Sequence, residues 1–110
     1  MEGKIMLERC PQNVKDIIVE KFNSLDNFYD YVLLLSHKQH VEKQCYSKEI
    51  NNLKDELVRI GIDSMIADDL VDEIGTDYSE IVATNYAKKL LGENWLEKLN
   101  QFEKIINGLQ

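Results

Sequence analysis

The sequence predicts an all-α protein: a compact bundle of about six short helices forming a single domain over residues 1–110. Apolar residues recur at spacings of three and four from Val14 to Ile106, which is the period of an amphipathic helix. Pro11 is the only proline and there are five glycines, so long helices joined by short connections are favoured. We therefore expect at least about 60% helix and no sheet.

The first helix is predicted between Pro11 and Asn23. Residues 1–9 have no usable periodicity, and we expect them to be frayed. Cys10-Pro11 begins the helix, since proline is tolerated in a first turn, and Asn23-Ser24 ends it. Its apolar stripe consists of Val14, Ile17, Ile18, Phe22 and Leu25.

The second helix is expected to be central in the packing. Asp26 is its predicted cap. Its apolar stripe comprises Phe28, Tyr31, Val32 and Leu35. Leu33 and Leu34 widen this stripe beyond one face. The polar stretch from residue 36 to residue 46 is either the tail of this helix or a loop.

Residues 47–91 are divided by helix start and stop residues. The predicted starts are Ser47, Asp63-Ser64 and Thr76-Asp77, and the predicted stops are Gly61, Gly75 and Gly92. Three helices therefore follow one another with almost no loop. A last helix carries the stripe of Trp95, Leu99, Phe102 and Ile106 before Gly108.

The negative charge is concentrated in one part of the chain. The net charge is -7, yet the 26 residues from Asp55 to Glu80 hold nine acids and a single base, Arg59. Such a surface disfavours direct binding of nucleic acid or of an anionic membrane, because phosphates must be neutralised by Lys and Arg. A basic protein partner is the natural complement. The candidate partner-binding residues are Asp68, Asp69, Asp72, Glu73, Asp77 and Glu80. The alternative is that these acids form only the solvated face of an amphipathic helix.

Metal and catalytic sites have weaker support. His37, His40 and Cys45, with Cys10 as a fourth ligand, do not have the spacing of a zinc module. Gly75 stands at the wrong offset for a calcium-binding EF-hand loop. No nucleophile carries a sequence signature, and no glycine-rich phosphate loop is present. We expect no cofactor, no metal and no enzymatic activity.

The cysteine content and the hydropathy point to the cytoplasm. Two cysteines do not make a disulfide framework, and the first residues lack the apolar run of a signal peptide. No stretch approaches the roughly 20 apolar residues that span a bilayer. We expect two free thiols in a reducing compartment.

Residues 26–91 resemble the RecX family of RecA modulators. In that family an aliphatic and glycine-terminated helix precedes a short acidic helix, an aspartate and a helix that ends in basic residues. The matching positions are Leu53, Leu57, Gly61-Ile62, Ile66, Leu70, Ile74, Asp77 and residues 88–92. The resemblance implies tandem three-helix units and modulation of a recombinase filament.

Together these features predict a non-enzymatic protein that binds and modulates or inhibits a basic protein. A RecX-like recombinase modulator is one version of this function. A toxin-immunity or phage counter-defence inhibitor is another, because such proteins are commonly small, acidic and helical. A metal-dependent or cysteine-based enzyme is the competing class.

Overall fold

The computed structural model describes residues 2–43 and 48–106, and 82% of these residues are helical, with no strand among them. The seven helices are α1 (Glu2–Glu8), α2 (Gln12–Phe22), α3 (Leu25–Val41), α4 (Lys48–Arg59), α5 (Ser64–Ile81), α6 (Asn85–Leu90) and α7 (Trp95–Ile106). The predicted all-α fold is confirmed.

Two long helices, α3 and α5, form the centre of the bundle. Helix α3 packs against α1, α2, α4, α5 and α7, and α5 packs against α1, α3 and α4. Residues 31–35 of α3 are all buried, and Leu33 and Leu34 have no exposed surface. The prediction that this helix is central is therefore confirmed. Phe22 of α2 meets Phe28 edge to face, with ring centroids 5.0 Å apart, and so joins α2 to this core.

Helix boundaries follow backbone conformation and capping. Asn23 ends α2 in the left-handed conformation, with φ 74°. Ser24, and not Asp26 as predicted, caps α3, because its side chain accepts a hydrogen bond from the Asn27 amide at 3.0 Å. Gly61 takes φ 113° after α4, and Asp63 caps α5, as the sequence predicts.

Helix α5 continues through Gly75, so the predicted stop at Gly75 and the predicted start at Thr76-Asp77 are wrong. A glycine ends a helix when it adopts a positive φ, and Gly61 is the only glycine with positive φ in the part of the chain that the structure describes. A glycine inside a helix costs about 1 kcal/mol relative to alanine, and the buried stripe of α5 outweighs that cost. The next helix, α6, begins instead after Thr84, whose hydroxyl accepts a hydrogen bond from the Ala87 amide.

Residues 2–8 form α1, so the expectation of a frayed segment is wrong over this range. This helix lies against α5, and Gly3 and Leu7 are buried in the contact. A Cβ atom on Gly3 would lie only 2.6 Å from the Ile74 nitrogen, so the two helices approach each other as closely as a glycine allows. The local sequence shows no amphipathic period here because seven residues make barely two turns.

The stretch that the sequence leaves undecided begins as helix. Helix α3 continues to Val41, so residues 36–41 are the tail of the long helix. Cys45, Ser47 and Gly108 lie outside the described residues. Across residues 2–43 and 48–106, no helix combines the length and apolar character that crossing a membrane requires.

Candidate protein-interaction surface

The acids of α5 fall on two different sides of the helix. Asp68, Asp69, Asp72 and Glu80 are exposed, and Glu73 is half-buried beside α1. Asp77 has no exposed surface. It follows Asp68 by nine residues, or about 2.5 turns at 3.6 residues per turn, so the two side chains point in opposite directions. The interpretation of Asp77 as part of a partner-binding surface is therefore corrected.

Asp77 instead holds α1 in place from inside the bundle. Its Oδ1 accepts a hydrogen bond from the Gly3 amide at 3.1 Å. Its Oδ2 accepts hydrogen bonds from the Lys4 amide at 2.9 Å and from the Tyr29 hydroxyl at 2.8 Å. These amides belong to the first turn of α1, where a helix leaves its backbone donors unsatisfied and favours a negative charge. The carboxylate thus caps α1 from another helix.

The four exposed acids form one stripe along α5, which we call the acidic face: Asp68, Asp69, Asp72 and Glu80. Met65 begins the same face and is 73% exposed. Helix α5 contains no Lys, Arg or His to offset these charges. Because the helix is continuous, the face is about 18 Å long from Asp68 to Glu80, at 1.5 Å per residue.

One member of the acidic face already has a partner. Lys54 of α4 donates a hydrogen bond to Asp72 at 2.8 Å, and the Asp72 side chain is 65% exposed. Exposed ion pairs contribute about 0–1 kcal/mol, so a competing cation can replace this contact readily. Within residues 2–43 and 48–106, no ion pair involves Asp68, Asp69 or Glu80.

A second carboxylate–phenol pair lies away from the acidic face. The Tyr86 hydroxyl of α6 donates a hydrogen bond to Asp30 Oδ1 of α3. Burial raises the pKa of Asp30, and the hydrogen bond from Tyr86 opposes that rise. Burial also raises the pKa of Tyr86, and the acceptor Asp30 raises it further. No local sequence pattern predicts this pair, because its members are 56 residues apart.

The histidines take part in an aromatic cluster that joins α3, α5 and α7. His37 Nδ1 lies 2.8 Å from the Tyr78 hydroxyl, and the His37 ring meets Trp95 edge to face at 5.0 Å. Burial lowers the pKa of His37, and the field of His40 lowers it further. No group of three or more His, Cys, Asp and Glu suited to a metal occurs among the residues outside 44–47 and the chain ends. Cys45 of the predicted metal set is not among the described residues.

No family model, curated protein or solved structure matches this chain. The resemblance to RecX therefore stays a prediction. The residues that carry the resemblance lie from α4 to just after the end of α6, and Asp77, which the resemblance places after the acidic helix, lies inside α5. Of the predicted partner-binding residues, Asp68, Asp69, Asp72 and Glu80 are exposed and can be interpreted as a functional surface.

Proposed function

We propose that the chain is a non-enzymatic interaction protein that binds a basic surface of another protein through the acidic face of α5, and that this binding modulates or inhibits the partner. The observation that carries the proposal is the alignment of Asp68, Asp69, Asp72 and Glu80 on one side of a single 18-residue helix. A continuous helix fixes the distances between these charges.

The energetics of charged surfaces favour this use. Exposed carboxylates on a helix contribute little to folding stability, so their concentration is not explained by the stability of the bundle. Across an interface, by contrast, complementary charges raise the association rate and fix the orientation of the partner. Met65, exposed at one end of the face, adds a flexible apolar side chain that suits an interface.

The partner is defined by its chemistry as a protein with a basic groove or ridge at least as long as the acidic face. A groove that otherwise holds nucleic acid has this character, and the acidic face would compete with phosphates for it. The resemblance to RecX makes a recombinase filament one such partner. A toxin or a defence protein that acts on nucleic acid is another.

The test reverses charge on the face without disturbing the bundle. Asp68→Lys combined with Asp69→Lys changes two exposed residues that make no ion pair in the described structure. The matched control is Glu8→Lys combined with Glu20→Lys, which changes the net charge equally on α1 and α2. Each protein is used as bait in lysate of the native host at low and at high salt, and captured proteins are compared.

We expect the wild type and the control to retain the same basic protein at low salt and to release it at about 1 M salt, where the screening length falls to roughly 3 Å. The face variant should fail to retain it. Equal retention by the face variant and the control would contradict the proposal and leave the acids with a role in solvation alone.

A further inference from the structure

A cleft between α3, α6 and α7 is lined in part by Asp30 of α3. Its lining also includes Leu90 of α6 and four residues of α7: Lys98, Gln101, Phe102 and Ile105. The cleft has a volume of about 290 Å³. Pockets for drug-sized molecules begin at about 300 Å³, so this cleft is suited to a single side chain.

We propose that this cleft is an anchor site for one arginine side chain of the protein partner. This inference rests on the proposed function, since it supposes a basic protein partner, but it concerns a separate part of the surface. The stem of the arginine would pack between Leu90, Phe102 and Ile105, and its guanidinium would pair with the carboxylate of Asp30.

The charge of Asp30 favours the binding of a cation in this cleft. One oxygen, Oδ1, accepts the Tyr86 hydroxyl, and none of the ion pairs formed by the described residues includes Asp30. A partly buried carboxylate without a cation in contact is unfavourable, and its raised pKa reflects that burial. A guanidinium placed beside Oδ2 would compensate the charge.

Lys98 lines the cleft but does not form an ion pair with Asp30. Its ammonium donates a hydrogen bond to the Lys89 carbonyl, at the C-terminal end of α6, and not to Asp30. Cations are stabilised at such helix ends, so this hydrogen bond favours a position of the Lys98 ammonium away from Asp30. The charge of Lys98 lowers the pKa of Asp30, but among the described residues its ammonium forms no ion pair with that carboxylate, which can therefore accept a cation from outside.

The apolar walls select arginine over lysine. A guanidinium is planar and more weakly hydrated than an ammonium, and it packs favourably against an aromatic ring such as that of Phe102. Phe102 is held in position by Tyr31, whose ring centroid lies 6.3 Å from its own. Arginine is also among the residues that dominate binding energy at interfaces, where it fills pockets of this kind.

The experiment uses N-acetyl-arginine methylamide as the probe and the citrulline analogue as its uncharged isostere. Each is titrated into the full-length, nitrogen-15-labelled chain, and amide chemical shifts are recorded. We expect saturable shifts at Asp30, Leu90 and Ile105 with the arginine probe. The citrulline probe should bind at least about tenfold more weakly, because hydrogen bonds to charged groups are roughly twice as strong as neutral ones.

Three variants decide the assignment. Asp30→Asn keeps an acceptor for Tyr86 and should weaken arginine binding by about tenfold. Lys98→Gln removes the like charge at the edge and should tighten binding by about twofold to fivefold, as for a surface charge pair. Asp55→Asn removes an exposed carboxylate of α4 that belongs neither to the cleft nor to the acidic face, and it should leave the titration unchanged.

Equal binding of the citrulline probe, an unchanged titration in Asp30→Asn, or the absence of saturable cleft shifts in both the wild type and Lys98→Gln would overturn the proposal. If Asp30→Asn unfolds, the Lys98→Gln result alone decides between support and refutation. A negative arginine titration would refute the cleft proposal and would not bear on the acidic face. A negative lysate experiment with a positive titration would refute the proposal for the acidic face and support the cleft as an arginine site.

Discussion

The buried carboxylate of Asp77 gives the sharpest prediction for the fold. In Asp77→Ala, the Gly3 and Lys4 amides and the Tyr29 hydroxyl lose their acceptor. Gly3 is buried, so its amide is left inside the protein without an acceptor, whereas the Lys4 amide is only partly buried. At about 1–3 kcal/mol for a buried unsatisfied donor, the loss at Gly3 alone should lower the free energy of unfolding by about 1–3 kcal/mol.

The assay is urea denaturation followed by circular dichroism, with hydrogen exchange of the α1 amides as a second readout. Asp68→Ala is the control, because it removes an exposed aspartate from the same helix and should change stability by less than about 0.5 kcal/mol. In Asp77→Ala, exchange at α1 should accelerate more than exchange at α3, since the lost bonds belong to the first turn of α1. Asp77→Asn should be intermediate, because it preserves the shape of the side chain and loses its charge.

A loss in Asp77→Ala no larger than that in Asp68→Ala would refute this reasoning. It would show that water satisfies the α1 donors, and that Asp77 does not hold α1 against α5.

Three further predictions concern two helical glycines and one histidine. Gly3→Ala should destabilise the protein by about 1–3 kcal/mol in the same urea assay, because its Cβ would meet the backbone of Glu73 and Ile74 at 2.6–2.7 Å. Gly75→Ala should raise stability by about 0.5–1 kcal/mol, because alanine favours helix and the nearest atom to its Cβ would be Ser36 Oγ at 3.6 Å. A lower stability in this variant would contradict an unstrained helix at residue 75. The pKa of His37 is lowered in the folded state, so the unfolded chain takes up the proton first. The urea midpoint should therefore fall as pH decreases below about 6.5. This fall should be smaller in His37→Gln, whereas His40→Gln should keep most of it. If the midpoint of His37→Gln fell with pH as steeply as that of the wild type, His37 would be excluded as the source.

The sequence predicted the fold class and several boundaries because those depend on local patterns. The apolar spacing in α2, α3 and α7 is a property of neighbouring residues, and Gly61 and Asp63 have the conformations that their residue types favour. Gly75 misled the prediction, because whether a glycine ends a helix depends on the packing of the whole helix and not on the glycine itself.

The wrong placement of Asp77 on the partner-binding surface followed from the error at Gly75. Once α5 is continuous, the register alone places Asp77 opposite Asp68, so its burial was within reach of sequence reasoning. Two of its donors, the Gly3 and Lys4 amides, were not, because they come from a segment with no periodicity of its own. The pairing of Asp30 with Tyr86 likewise depends on how α6 returns toward α3, which no local pattern encodes.

The attachment of α1 to α5 also determines when α1 forms as the chain folds. The bond between Gly3 and Asp77 joins residues 74 positions apart. Closing a loop of that length costs about 4 kcal/mol from the logarithmic term alone, so this contact is favourable only after the intervening helices have shortened the path. We infer that α1 docks after the rate-limiting barrier, with φ-values near zero, whereas α3 and α5 assemble before it. Substitutions that weaken the contact would then increase the unfolding rate and leave the folding rate nearly unchanged.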